Sequence, residues 1–125
     1  MDDTGLKIGE VTERTGLSIP TLRHYDSVGL VTPSGRSPGG FRLYDEEDVR
    51  RILLVRRMKP LGFTLEQMRD FLDAADVLRD GTADDAGARE TLAEIKDEAR
   101  TRYEKLLKRL AYAEEFLELV DGLEA

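Results

Sequence analysis

Ten apolar residues near the C-terminus recur at steps of three and four: Ala88, Leu92, Ile95, Ala99, Tyr103, Leu106, Leu110, Ala113, Leu117 and Val120. That spacing draws a narrow apolar stripe along one continuous helix, roughly 50 Å long at 1.5 Å per residue. Leu92 to Tyr103 spans eleven residues where a strict heptad has seven, a stutter that locally unwinds a coil. A helix of this length finds nothing else in the sequence to cover its stripe. The expectation is that it pairs with a second copy, through Leu92, Ile95, Ala99, Tyr103, Leu106, Leu110, Ala113, Leu117 and Val120.

Charge divides the 125 residues unevenly. The net charge is −7, yet residues 14–59 hold nine basic and five acidic side chains, while residues 63–125 hold nine basic and 17 acidic. A basic head on an acidic, solvated tail suits a polyanionic partner better than the average does. With no cysteine and a single histidine, disulfides, iron–sulfur clusters and the usual zinc ligand sets are excluded within one chain. The longest aliphatic run, Ile52-Leu-Leu-Val55, is far short of the ~20 residues of a membrane span. The N-terminus carries Asp2 and Asp3 and no apolar core, so a secretory signal is not expected. A soluble, cytoplasmic protein is the expectation.

Two short helices precede the long one. The first is predicted from about Ile8 to Arg14, stopped by Gly16 in a left-handed position. The turn Thr15-Gly-Leu leads to Ser18, an N-cap, with Pro20 in the first turn of a second helix that ends near Gly29. Two short helices across a glycine turn make a helix-turn-helix. At 100° per residue, Leu22 facing inward puts Ile19 and Tyr25 at the core edge and turns Thr21, Arg23, His24 and Ser27 outward. That outer face is polar and cationic, as a groove contact requires.

Residues 30–44 contain two prolines and three glycines. Leu30-Val-Thr32 and Phe41-Arg-Leu-Tyr44 are predicted as short strands joined at Pro38-Gly-Gly40, with Arg36 at the tip. Alternation sets Phe41 and Leu43 on one face, Arg42 and Tyr44 on the other. Asp45 caps a third helix with Val49, Ile52, Leu53 and Val55 inward, which Pro60 stops. Thr64-Leu-Glu-Gln67 is a capping box for a fourth, with Leu65, Met68, Phe71 and Leu72 inward, fading at Asp80-Gly81. The acidic groups Asp45-Glu-Glu-Asp48 and Asp84-Asp85 lack the spacing and glycine of a calcium loop and are read as caps and linker charges. No cofactor or metal is expected. The domains are a DNA-binding head over residues 1–75, a linker over 76–86 and a pairing helix over 87–125.

These pieces, in order, resemble the MerR family of bacterial transcription regulators. The resemblance rests on Ile8-Gly-Glu-Val11, Thr15-Gly-Leu-Ser18, Thr21-Leu-Arg-His-Tyr25, Gly29-Leu30, Gly40-Phe-Arg-Leu-Tyr44, Asp48-Val-Arg-Arg51 and Leu61-Gly-Phe-Thr-Leu65. It implies a mainly α, winged helix-turn-helix head with a β-hairpin wing, followed by an antiparallel dimerisation coil. It further implies a homodimer on an inverted-repeat promoter operator, which it bends and untwists for RNA polymerase. Thr21, Arg23 and His24 would face the major groove and phosphates. Arg36 and Arg42 would hold the wing on the backbone, and Lys59 would form a second wing. Ser18, Tyr25 and Tyr44 complete the expected DNA-facing set.

The sequence departs from the family at His24, where a tyrosine is usual, and in having no cysteine for metal or redox sensing. It continues only about five residues past the stripe, so a large ligand-binding domain is not expected, and the effector is left unspecified. His24 is read as a hydrogen-bonding contact in preference to a proton-sensing switch. Tyr103, Tyr112 and Phe116 are read as coil packing rather than a ligand pocket. Arg50-Arg51 and Arg56-Arg57 stay open between solvation and phosphate contact. An excisionase-like architectural protein and a coiled-coil adaptor are the alternatives. Catalysis has little to build on, without a nucleophile beside a base.

Overall fold

A computed structural model describes residues 5–81 and 84–125. Its elements run α1 (Ile8–Thr15), α2 (Ile19–Ser27), β1 (Gly35–Arg36), β2 (Arg42–Leu43), α3 (Glu46–Val55), α4 (Leu65–Asp80) and α5 (Ala86–Glu124). The fold is mainly helical with one small antiparallel hairpin, as expected.

The caps are those the sequence announces. Gly16 closes α1 at φ +76°, its N–H donating to the Thr12 carbonyl at 2.8 Å. The Ser18 hydroxyl accepts from the Thr21 N–H at 3.2 Å and so opens α2. At α3, Asp45 and Asp48 each accept from the other's backbone N–H. At α4, Thr64 and Gln67 do the same. Caps of this kind typically contribute about 1 kcal/mol each.

The hairpin differs from expectation. Residues 30–32 are not a strand, because the N–H groups of Leu30 and Val31 both donate to the Tyr25 carbonyl, at 2.9 and 3.4 Å. The chain therefore curls back onto α2 and buries both side chains. Strand β1 starts later, pairing Gly35 with Leu43 and Arg36 with Arg42. The turn is at the expected place, with the Gly40 N–H donating to the Ser37 carbonyl at 2.9 Å. Phe41 and Leu43 do not share an environment: Phe41 is 70% exposed and Leu43 7%. Tyr44, expected outward with Arg42, is turned inward by a two-bond bridge to Leu6.

Helix α3 ends at Val55, five residues before Pro60. Its last turn gives way to tight turns in which Met58 and Phe63 fold into the core. That core gathers Val11, Leu22, Tyr25, Val49, Ile52, Met68 and Leu72. Burying an aliphatic side chain of this size fully is worth about 1.5–3 kcal/mol. Asp48 is buried with them at 5% exposure, its carboxylate accepting from the Ser34 N–H at 3.0 Å and the Ser34 hydroxyl at 2.6 Å. This polar clamp fastens the approach to the wing onto α3.

Residues 76–80, expected in a linker, are helical, and Arg51 of α3 holds Asp76 in an ion pair. Gly81 ends α4 at φ +66°. Thr82 and Ala83, also expected in the linker, lie outside the described residues, as do Asp2 and Asp3. Helix α5 packs along α4, and Ile95 and Ala99 meet the core of the head. The expectation that α5 has nothing in its own chain to lie against is thereby corrected for its first half.

Candidate nucleic-acid interface

Three elements present polar and cationic side chains on one connected surface. On α2, the inward stripe of Leu22 and Tyr25 turns Arg23, His24 and Ser27 to solvent, with Thr21 half-buried at the flank. The wing reaches α2 directly: Arg42 Nη1 donates to Asp26 Oδ2 at 2.9 Å. At the hairpin, exposed Arg36 donates to the Gly40 carbonyl at 3.4 Å, a long contact that leaves most of its donors unused. On the other side of α2, His24 and Lys59 line one cleft of about 240 Å³, with Gly62 and Phe63 in its wall. Wing, helix and the turn at Lys59 are thus joined through Asp26 and His24.

Two family models match this chain, that of the MerR HTH family regulatory protein over residues 6–75 and that of MerR DNA binding over residues 49–112. The chain belongs to the MerR family. Among curated relatives, the nodulation protein NolA of Bradyrhizobium elkanii is 40% identical over 74 residues, covering 59% of this chain and 34% of NolA. A MerR family transcriptional regulator from Listeria monocytogenes superposes with a TM-score of 0.70 at 29% identity, covering 93% of this chain and 86% of the other. HiNmlR, a MerR family regulator lacking the sensor domain and bound to promoter DNA, shares the fold at a TM-score of 0.66 and 24% identity, covering 91% and 85%. This MerR-family chain spans about a quarter to a half of the length of the curated relatives it matches.

Not every expected contact residue of this MerR-family chain lies on the surface. Tyr25 and Tyr44 are each 2% exposed and belong to the core. Tyr25 sits three residues from Leu22 on the inward stripe, and Tyr44 is drawn in by the Leu6 bridge. Burial raises both phenol pKa values above the usual 10. Ser18 is exposed, but its hydroxyl is engaged as the cap of α2 and with the Thr21 hydroxyl at 2.9 Å.

Among the cations left open by the sequence, three are tied within the protein. Arg50 pairs with Glu47 at 2.7 Å, Arg51 pairs with Asp76, and Arg56 donates to the Thr15 carbonyl at 3.1 Å. The pair of Arg50 lies within α3, whereas Arg51 and Arg56 tie α3 to α4 and to α1; Arg57 is exposed. The acidic groups serve as caps and pairs: Asp84 accepts from the Ala86 N–H at 3.3 Å and Asp85 pairs with Arg89 at 3.1 Å. Asp26 and Arg102 make contacts that the sequence does not signal. Neither sits at a periodic or capping position that would have singled it out.

The apolar stripe of α5 changes partner along its length. Leu92, Ile95 and Ala99 are half-buried, whereas Tyr103, Leu106, Leu110 and Leu117 are exposed, together with Tyr112, Phe116, Leu119 and Leu123. The changeover falls at the stutter. An exposed apolar row of this extent marks an interaction surface. No helix among the described residues is long and apolar enough to cross a membrane.

Proposed function

We propose that the protein is a homodimeric, sequence-specific DNA-binding regulator of transcription, not an enzyme, acting in the cytoplasm on an inverted-repeat promoter operator. One observation carries this reading: Arg42, Asp26, His24 and Lys59 link a wing, a helix and a second turn into a single surface on which Arg23 and Arg36 are also exposed. Each basic contact to duplex DNA releases a condensed counterion, which is the driving force such a surface exploits. HiNmlR, which shares the fold, is bound to promoter DNA.

The exposed part of α5 supports a second copy as partner. Read against itself in reverse, the stripe sets Leu110 opposite Ala113, Leu106 opposite Leu117 and Tyr103 opposite Val120. The same reversal brings the basic stretch of Arg100, Lys105, Lys108 and Arg109 alongside the acidic Glu114, Glu115, Glu118 and Asp121. Self-complementary stripe and charge together favour an antiparallel coil. Two α2 helices then enter successive major grooves about 34 Å apart. Bending and untwisting of the operator for RNA polymerase is part of the same proposal.

The test is binding to duplexes selected from a random pool, followed by anisotropy across salt concentrations. With about four phosphates neutralised per subunit, log K falls with log salt at a slope near −7. A salt-insensitive complex overturns the phosphate roles of Arg23, Arg36, Arg42 and Lys59. A straight bound duplex in circular-permutation assays removes the bending.

A further inference from the structure

Arg102, midway along α5, ties the long helix to the turn that carries Lys59. Its Nε donates to Glu98 Oε2 at 2.9 Å, its Nη1 donates to the Leu61 carbonyl at 2.8 Å, and its guanidinium carbon lies 4.5 Å from the Phe63 ring centroid. Hydrogen bonds with an ionised donor are roughly twice as strong as neutral ones, and a half-buried cation over an aromatic face adds to them. The turn is shaped to admit the guanidinium: at Gly62, φ is +89° and a Cβ would sit 2.8 Å from Arg102 Nη1.

The linkage continues past the turn. The Gly62 N–H donates to the Lys59 carbonyl at 2.8 Å, so two successive links join the α5 side chain to the backbone of Lys59. Gly62 borders both the cleft shared by His24 and Lys59 and a groove of about 220 Å³ on the α5 side. The seam between coil and reading surface is therefore one residue wide at this point.

We propose that Arg102 is a positioning residue for DNA contact, fixing the turn at residues 59–62 to α5 so that the setting of the coil decides how Lys59 meets a backbone phosphate. The proposal rests on the DNA-binding reading above. Arg102 turns Nε and Nη1 to partners inside the protein, so its effect on DNA passes through Lys59. Lysine in its place keeps the charge but lacks the planar fork that spans Glu98 and Leu61.

The test measures anisotropy on a duplex selected by the unmodified protein, using Arg102→Gln, Lys59→Ala and the double variant across salt. Arg102→Gln is expected to weaken binding severalfold, and by no more than Lys59→Ala does, because its effect passes through that one phosphate contact. Its salt slope becomes shallower by about 0.9 for each phosphate that is no longer neutralised. The double variant binds no more weakly than Lys59→Ala alone. Arg102→Lys, which retains the stem and charge, behaves like Arg102→Gln and carries the comparison if the glutamine variant does not fold. Additive losses in the double variant, or an unchanged salt slope, overturn the proposal while leaving DNA binding intact. Failure of the unmodified protein to select any duplex removes the DNA-binding reading and the proposal together.

Discussion

Arg42 on the wing and Asp26 on the second helix form an ion pair of 2.9 Å across the surface assigned to DNA. Asp26 is the acidic member of an otherwise cationic or neutral face, and it competes with phosphate for the same guanidinium. Arg42 is exposed and Asp26 half-buried, so the pair, open to solvent on the Arg42 side, contributes about 1 kcal/mol or less to folding. Asp26→Asn is expected to leave the melting temperature nearly unchanged and to tighten DNA binding by up to about fivefold at low salt. Anisotropy at two salt concentrations checks this. Weaker binding would mean that Asp26 aims the wing rather than restraining it.

Asp48 presents a different case, because its carboxylate is buried and accepts from the Ser34 N–H, the Ser34 hydroxyl and the Asp45 N–H. Alanine at this position strands all three donors. A loss of about 2–4 kcal/mol is expected in urea unfolding, with a smaller loss for Asp48→Asn, which keeps one carbonyl acceptor. Ser34→Ala removes only the hydroxyl partner and falls between the unmodified protein and Asp48→Ala.

Burial of Tyr25 and Tyr44 gives stability an alkaline limit. Their phenol pKa values are raised by desolvation, so the unfolded chain ionises first as pH rises. The contribution is fully present below pH ~10, the unfolded value, and is lost as pH climbs through the higher folded values. Denaturant midpoints between pH 8 and about 11 should fall less steeply for the Tyr25→Phe, Tyr44→Phe double variant. On the acid side, the hydrogen bond from Arg14 holds the Glu46 pKa below its ordinary value. That contribution is present above the unfolded value and fades as pH falls through the depressed one; Glu46→Gln removes the fade.

Leu106→Asp and Leu117→Asp place charge on the exposed stripe opposite each other in the antiparallel pairing. Sedimentation is expected to report monomers, because an apolar layer is replaced by desolvated carboxylates. The head retains its circular dichroism, since Ile95 and Ala99 pack within their own chain. DNA affinity falls with the loss of the second reading head. A dimer that survives both substitutions removes the stripe from the interface.

Local chemistry was the legible part of this sequence. Ser18, Thr64 and Asp45 announce helix starts through hydroxyl and carboxylate caps that need only neighbours three residues away, and Gly16 and Gly81 announce ends by their left-handed backbones. The stripe of α5 was likewise readable from spacing. Long-range contacts were not. Nothing near Tyr44 foretells a bridge to Leu6, and nothing near residue 30 foretells that two N–H groups return to one carbonyl of Tyr25. On the assigned surface, Arg23, His24, Arg36, Arg42 and Lys59 are exposed as expected, because polarity at known helical and turn positions predicts exposure. Arg102 lies 41 residues from Leu61, beyond the reach of any periodicity.

Because Ile95 and Ala99 clamp the near half of α5 to the head, that helix cannot pivot independently of the reading surface; the free half acts as a shaft on a fixed mount. A single residue inserted at the stutter would swing each head by about 100° around the shaft, putting both readers out of phase with the duplex. Seven inserted residues would restore the facing to within about 20° while carrying the two heads roughly 20 Å farther apart. In the proposed dimer, the number of residues between the clamp and the dyad then sets the distance between operator half-sites.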